Sequence, residues 1–163
     1  MDHTAQIAQT KQTVQKASAD LLNTLSFVPD DKLTYSPSDT SRHSLWIVGH
    51  CAMANKAFAA GIRGEALPVP ENPADFSKMV WVAGKDTTSR AQAIELIEES
   101  TAEVQAALDG LTAEGLASSV TMPFGPLPMT YWITFSGMHM EGHARQVDYL
   151  QTIWGDTQDH MMG

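Results

Sequence analysis

The chain has 163 residues, enough for one domain with a proper core. Its 43 % apolar and 18 % charged content is that of a globular rather than a disordered protein. Nineteen acidic residues against ten basic ones leave a net charge of −9, which works against a phosphate backbone or an anionic lipid surface, so we expect neither nucleic acid nor membrane as a partner. Cys51 is the only cysteine, which rules out an internal disulfide. The N-terminus MDHTAQIAQTKQ lacks the cationic start and apolar core of a secretory signal, and the two together predict a cytoplasmic protein.

Apolar residues at Ile7, Val14, Ala17, Leu21 and Leu25 trace one side of a first helix over Thr4–Leu25, which stops before Phe27-Val28-Pro29-Asp30-Asp31. The breakers Ser36-Pro37-Ser38-Asp39-Thr40 precede a second helix over Ser41–Ala60, with Gly61 and Gly64 suited to its exit. A long connection, Glu65 to Asp86, is punctuated by Pro68, Pro70 and Pro73. Within it Asn72-Pro73 reads as a cap followed by an N1 proline, predicting a short helix over Ala74–Trp81. Met79, Val80 and Trp81 are apolar enough to pack over something, either a site or simply the bundle or a subunit contact.

Ser89 with Gln92 forms a capping box for a third helix to Leu108, with Ile94, Ile97, Thr101, Val104 and Leu108 inward. Glu95, Glu99 and Glu103 read as a solvated face. Gly115 to Met140 lacks any charge, but its prolines and polar residues argue against a membrane span. A short hairpin about Gly125-Pro126 is expected over Val120–Thr130. A fourth helix follows over Met129–Trp154, and Gly155 closes it. Four long helices with almost no strand pattern predict an all-α four-helix bundle over residues 1–155, with a loose tail at 156–163.

The histidines carry the chemistry. His139 and His143 are spaced H-x-x-x-H, which on a helix stacks two imidazoles about 5–6 Å apart at Cβ. Trp132, Phe135, His139, His143, Val147 and Leu150 share a side, so both rings are expected to point inward. Buried there without a counter-ion they would be poorly satisfied, and a divalent cation resolves that. His50 sits with Trp46, Ile47, Ala54, Ala57 and Phe58. Taken alone it reads more simply as a core histidine bonded to a carbonyl; with the other two it completes a three-nitrogen set. His43, two turns earlier, is too far for the same ion and reads as a surface or capping residue. His3 and His160 carry no signal, and Cys51 reads as a small buried hydrophobe.

Spacing removes the competitors. Glu141 is not adjacent to His139 as H-E-x-x-H requires, and Met140 and Ser136 stand where paired Glu-x-x-His motifs need glutamate. No G-x-S-x-G elbow is present. What remains is a mononuclear site of His50, His139 and His143.

Ser44-Leu45-Trp46-Ile47-Val48-Gly49-His50, the Gly125–Thr130 turn, and the run from His139 to Leu150 resemble the DinB/YfiT-like family of bacterial four-helix-bundle metalloproteins. The resemblance implies one divalent ion (nickel, zinc or iron) on His50, His139 and His143, and a homodimer acting on a small-molecule substrate. It further implies a metal-dependent transferase that adds a low-molecular-weight thiol to an electrophile. A hydrolase using metal-bound water, or a non-catalytic metal-binding or stress-response module, are the other readings. Arg145 and Tyr149 follow the motif closely, and spacing alone does not say whether either faces the site.

Overall fold

The computed structural model describes residues 2–67 and 69–161; Met1, Pro68, Met162 and Gly163 lie outside it. Four long helices make the bundle: α1 (His3–Ser26), α2 (Ser44–Ile62), α4 (Arg90–Gly110) and α7 (Phe135–Thr152). Between them run α3 (Pro73–Val82), a one-turn α5 (Ala113–Leu116), a hairpin of β1 (Ser119–Met122) and β2 (Gly125–Pro128), and a one-turn α6 (Met129–Trp132). Both α1 and α2 pack against α4 and α7. α1 therefore stands diagonal to α2, and α4 diagonal to α7, which the long connections allow, while α2 and α4 are neighbours.

Local chemistry sets the helix starts. Ser89 Oγ accepts the Gln92 N–H at 3.2 Å, while Gln92 Oε1 accepts the N–H of Thr88 at 2.9 Å, one residue earlier than in a standard box. Asn72 Oδ1 accepts the Ala74 N–H at 2.8 Å and Pro73 takes the first position of α3, as its sequence predicts. On α2 the expected start is corrected. The Ser36–Thr40 run lies outside the helix, which begins at Ser44, and the cap is His43, whose Nδ1 accepts the Trp46 N–H at 3.1 Å. His43 thus has the capping role foreseen for it. At the other end of α1, the guanidinium of Arg90 gathers the carbonyls of Leu25 and Val28 and the carboxylate of Asp30. It places a cation at the negative end of the helix dipole.

Val14, Leu21 and Leu25 of α1, Val48 and Cys51 of α2, Ile97, Val104 and Leu108 of α4, and Met140, Ala144 and Val147 of α7 form the buried centre. Ala57, expected on the buried side of α2, is exposed, and Asn55 is buried in its place.

The expected single helix over Met129–Trp154 is two helices. At Thr134 the backbone N–H bonds the Tyr131 carbonyl, three residues back, and the Thr134 hydroxyl donates to the same oxygen at 2.7 Å. The tightened turn separates α6 from α7. The hairpin turns at Pro123-Phe124 rather than at Gly125-Pro126, with Gly125 taking the left-handed φ of 118° just after the turn.

The tail is corrected as well. Residues 156–161 form no helix or strand but are tied down. The His160 ring stacks on Phe27 with centroids 4.1 Å apart, its Nε2 meets Asp156 at 3.1 Å, and its backbone is held by Asn23 and Asp148. His160 is buried. Among the described residues no helix is long and apolar enough to cross a membrane.

Candidate metal centre

The bundle brings His50, His139 and His143 together: one ring nitrogen from each lies within 4.8 Å of the others. Their ring centroids are 4.4 to 5.0 Å apart. His50 is 4 % exposed, whereas His139 and His143 are half-buried. The buried line of α7 runs through Ser136, Met140, Ala144, Val147 and Gln151, so the two histidines flank the core rather than point into its centre. That edge position leaves His139 and His143 partly exposed to solvent.

A second contact orients one of the rings. Gln146, one turn beyond His143, accepts from its Nδ1 at 2.7 Å. This fixes the tautomer and leaves the His143 Nε2 lone pair free, facing His139 Nε2 at 3.2 Å. Two ligands at zinc–nitrogen distances on a tetrahedral ion are about 3.3 Å apart, so the pair already has the spacing of two donors to one ion. Among the described residues the buried Nδ1 atoms of His50 and His139 have no hydrogen-bond partner. Protein groups alone leave the cluster under-satisfied, and neutral imidazoles are a fitting set for a divalent cation.

Burial holds the His50 imidazolium down at about 4, helped by the positive charges of Arg42 and His143. His139 is pushed down to about 3 by burial, then by His143, His50 and Arg42. His143 is lowered by burial too, partly offset by Gln146. All three are neutral donors at pH 7. Protons therefore bind the unfolded chain near the ordinary value of 6.5 but bind the fold only near 4 and 3. Between these limits the unfolded state holds more protons, so the stability of metal-free protein is level above pH 6.5 and falls as the pH drops toward 4. Urea melts of chelator-treated protein at pH 7.5 and 4.5 check this: His50→Gln should flatten the slope, and an unchanged slope would contradict the assignment.

The other polar side chains weighed in the sequence fall outside the cluster. Cys51 is fully buried and burial pushes its thiol up, so it is not a nucleophile. Arg145 pairs with Glu141 at 2.8 Å on the surface, and Tyr149 is 70 % exposed. His3 bonds the Leu111 carbonyl. A cavity of about 690 Å³ between the 61–71 segment and the hairpin contains none of the three histidines.

The sequence reading missed what surrounds the cluster. Asn55, one turn past His50, accepts from the Ser136 hydroxyl at 2.8 Å and reaches Ser100, bracing α2, α4 and α7 beneath the site. Gln146 was legible as an i+3 partner on the same helix. On the rim, Trp81 packs against Trp46 at 5.6 Å, and Trp46 Nε1 donates to the Ala83 carbonyl at 3.1 Å. Here the segment after α3 closes on α2.

No match is found among curated proteins by sequence. Among solved structures, a DinB-like protein from Bacillus subtilis (YjoA) matches with a TM-score of 0.65 at 18 % identity, covering 92 % of this chain and 94 % of that one. A mycothiol-dependent maleylpyruvate isomerase matches with a TM-score of 0.63 at 14 % identity over 90 % of this chain, which spans only 61 % of the isomerase's length. A mutant of the same enzyme gives 0.66. At such identities these likenesses speak for the fold. The family model of the DinB superfamily matches residues 12–147, and the chain belongs to that superfamily.

Proposed function

We propose that the chain is a metal-dependent enzyme that transfers a low-molecular-weight thiol to an electrophile, with His50, His139 and His143 as the ligands of one divalent ion. The observation that carries this reading is the convergence of three neutral imidazoles, with two of their buried nitrogens unpartnered, at the open edge of the bundle. A bound ion would supply a full positive charge that lowers the pKa of a thiol or water at its open positions. Gln146 holds His143 in the tautomer that offers Nε2, and the packed face of α2 carries His50 to the other two. Among the described residues no carboxylate joins the three histidines in the cluster, so the ligand set itself would not neutralise the ion's charge. The likeness to a mycothiol-dependent enzyme supports thiol over water as the nucleophile.

The test starts with elemental analysis of protein purified without a His-tag. Metal-loaded protein is then incubated with thiols and electrophiles, before and after chelation. Conjugates that form only with both metal and thiol support the reading. Turnover that needs no thiol would make the enzyme a hydrolase, and absence of stoichiometric metal would remove the site altogether.

A further inference from the structure

The chain has ten lysines and arginines among nineteen carboxylates, and eight of the ten lie against an acidic partner. The two that have none among the described residues, Arg42 and Lys85, meet at one place. Arg42 stacks over Trp81 at 4.6 Å and Trp46 at 5.8 Å, and Lys85 Nζ lies 5.6 Å from the Trp46 ring. Trp46 stands one turn before His50 on α2, so the cationic rim that Arg42 and Lys85 form on its ring adjoins the three-histidine cluster.

A purely structural role accounts for only part of the guanidinium. Nη2 donates to the carbonyls of Val80 and Trp81 at 3.1 and 3.2 Å, which fixes the group against α3. Nε is buried and has no partner among the described residues. A guanidinium pre-positioned by carbonyls, flanked by two indoles and left without a carboxylate is a receptor for a planar oxyanion. In an acidic protein most of the surface repels such a group, so a lone basic rim also steers it to the site.

We propose that Arg42, assisted by Lys85, binds the carboxylate of an acidic electrophile whose reactive carbon lies at the three-histidine centre. The substrate class is thus an electrophilic carboxylic acid. This rests on the thiol transfer proposed above. With chloroacetate as the probe electrophile, the thiol loses its proton to solvent and its sulfur forms a bond to the CH2 carbon. The carbon–chlorine bond breaks and its electron pair leaves with chloride.

The experiment compares chloroacetate with the neutral chloroacetamide on metal-loaded protein, using 2-mercaptoethanol so that the only carboxylate belongs to the electrophile. Arg42→Gln is expected to lower kcat/KM for chloroacetate at least tenfold and for chloroacetamide less than twofold. Arg42→Lys should restore part of the loss, and Lys85→Gln should cost about threefold with chloroacetate only. Equal losses on both electrophiles, or none on either, would overturn the assignment. If neither electrophile turns over, the transferase reading fails by itself and binding decides the role of Arg42. Succinate, but not succinamide, should then quench tryptophan fluorescence in the wild type and not in Arg42→Gln. Identical responses in the two proteins would sink the proposal.

Discussion

His139→Ala is expected to cost the protein its metal while leaving the fold intact. Four-ligand zinc sites bind with about 10–16 kcal/mol, or about 2.5–4 kcal/mol per ligand, so losing one donor weakens affinity on the order of 10²–10³-fold. Thiol transfer should fall with it, to the level of chelated wild type. The metal-free fold responds differently. His139 is half-buried with its Nδ1 unpartnered among the described residues, and outside the cluster its ring makes an edge contact with Phe58 at 5.7 Å. An unsatisfied buried polar group costs about 1–3 kcal/mol, so removing it should leave metal-free stability unchanged or slightly raised. Gln146→Ala is the graded control. It keeps all three ligands but frees the His143 tautomer, and outer contacts of this kind typically change metal affinity about 10–100-fold. Isothermal titration with zinc, alongside urea melts of the chelated proteins, reads both quantities. A His139→Ala variant that binds zinc as tightly as wild type would remove His139 from the ligand set.

Much of the bundle was legible in the sequence because its signals are local. Ile7, Val14, Ala17, Leu21 and Leu25 are all buried on α1, and Asn72-Pro73 and Ser89 cap the helices they announce. The three histidines were legible as a set because helical spacing fixes His139 against His143. Their depth was not. An apolar stripe spans roughly 100° of a helix, and periodicity does not separate its middle, where Met140 and Ala144 lie, from its edge, where the histidines stand. Non-local partnerships were hidden too. Nothing near Arg42 in sequence announces the carbonyls of Val80 and Trp81, which arrive from a segment nearly forty residues on. The polar tail gave no hint that His160 is buried on Phe27, because one stacked ring and a few hydrogen bonds leave no periodic mark.

Gly84→Ala is expected to be the most disruptive single-methyl change near the site. The segment after α3 meets α2 backbone to backbone: a Cβ on Gly84 would overlap the His50 nitrogen and lie 2.8 Å from the Gly49 oxygen. One on Gly49 would overlap the Thr87 hydroxyl and lie 2.7 Å from the Gly84 carbonyl. Gly84 also has φ of +80°, where alanine is strained by about 1–2 kcal/mol. Overpacking adds about 1–3 kcal/mol, more where the obstacle is a helix backbone that cannot rotate away. A total of about 2–5 kcal/mol corresponds to a Tm lower by about 5–20 °C in a chain of this size. Gly64→Ala separates the two terms, since Gly64 has φ of +74° but open space around it, and should show the strain alone. Gly142, between the two histidines of α7, has room for a methyl group; Gly142→Ala should gain up to about 1 kcal/mol from helix propensity. If Gly84→Ala relieves its clash by releasing the strap, the Trp46–Ala83 hydrogen bond and the carbonyl grip on Arg42 go with it. Limited proteolysis would then cut between residues 65 and 88 while zinc affinity stays near wild type. The acidic electrophile would lose its rim before the metal loses its ligands, so KM for chloroacetate should rise in a protein that still binds zinc. A Gly84→Ala protein with wild-type Tm and an uncut segment would show that this backbone contact does not hold the rim in place.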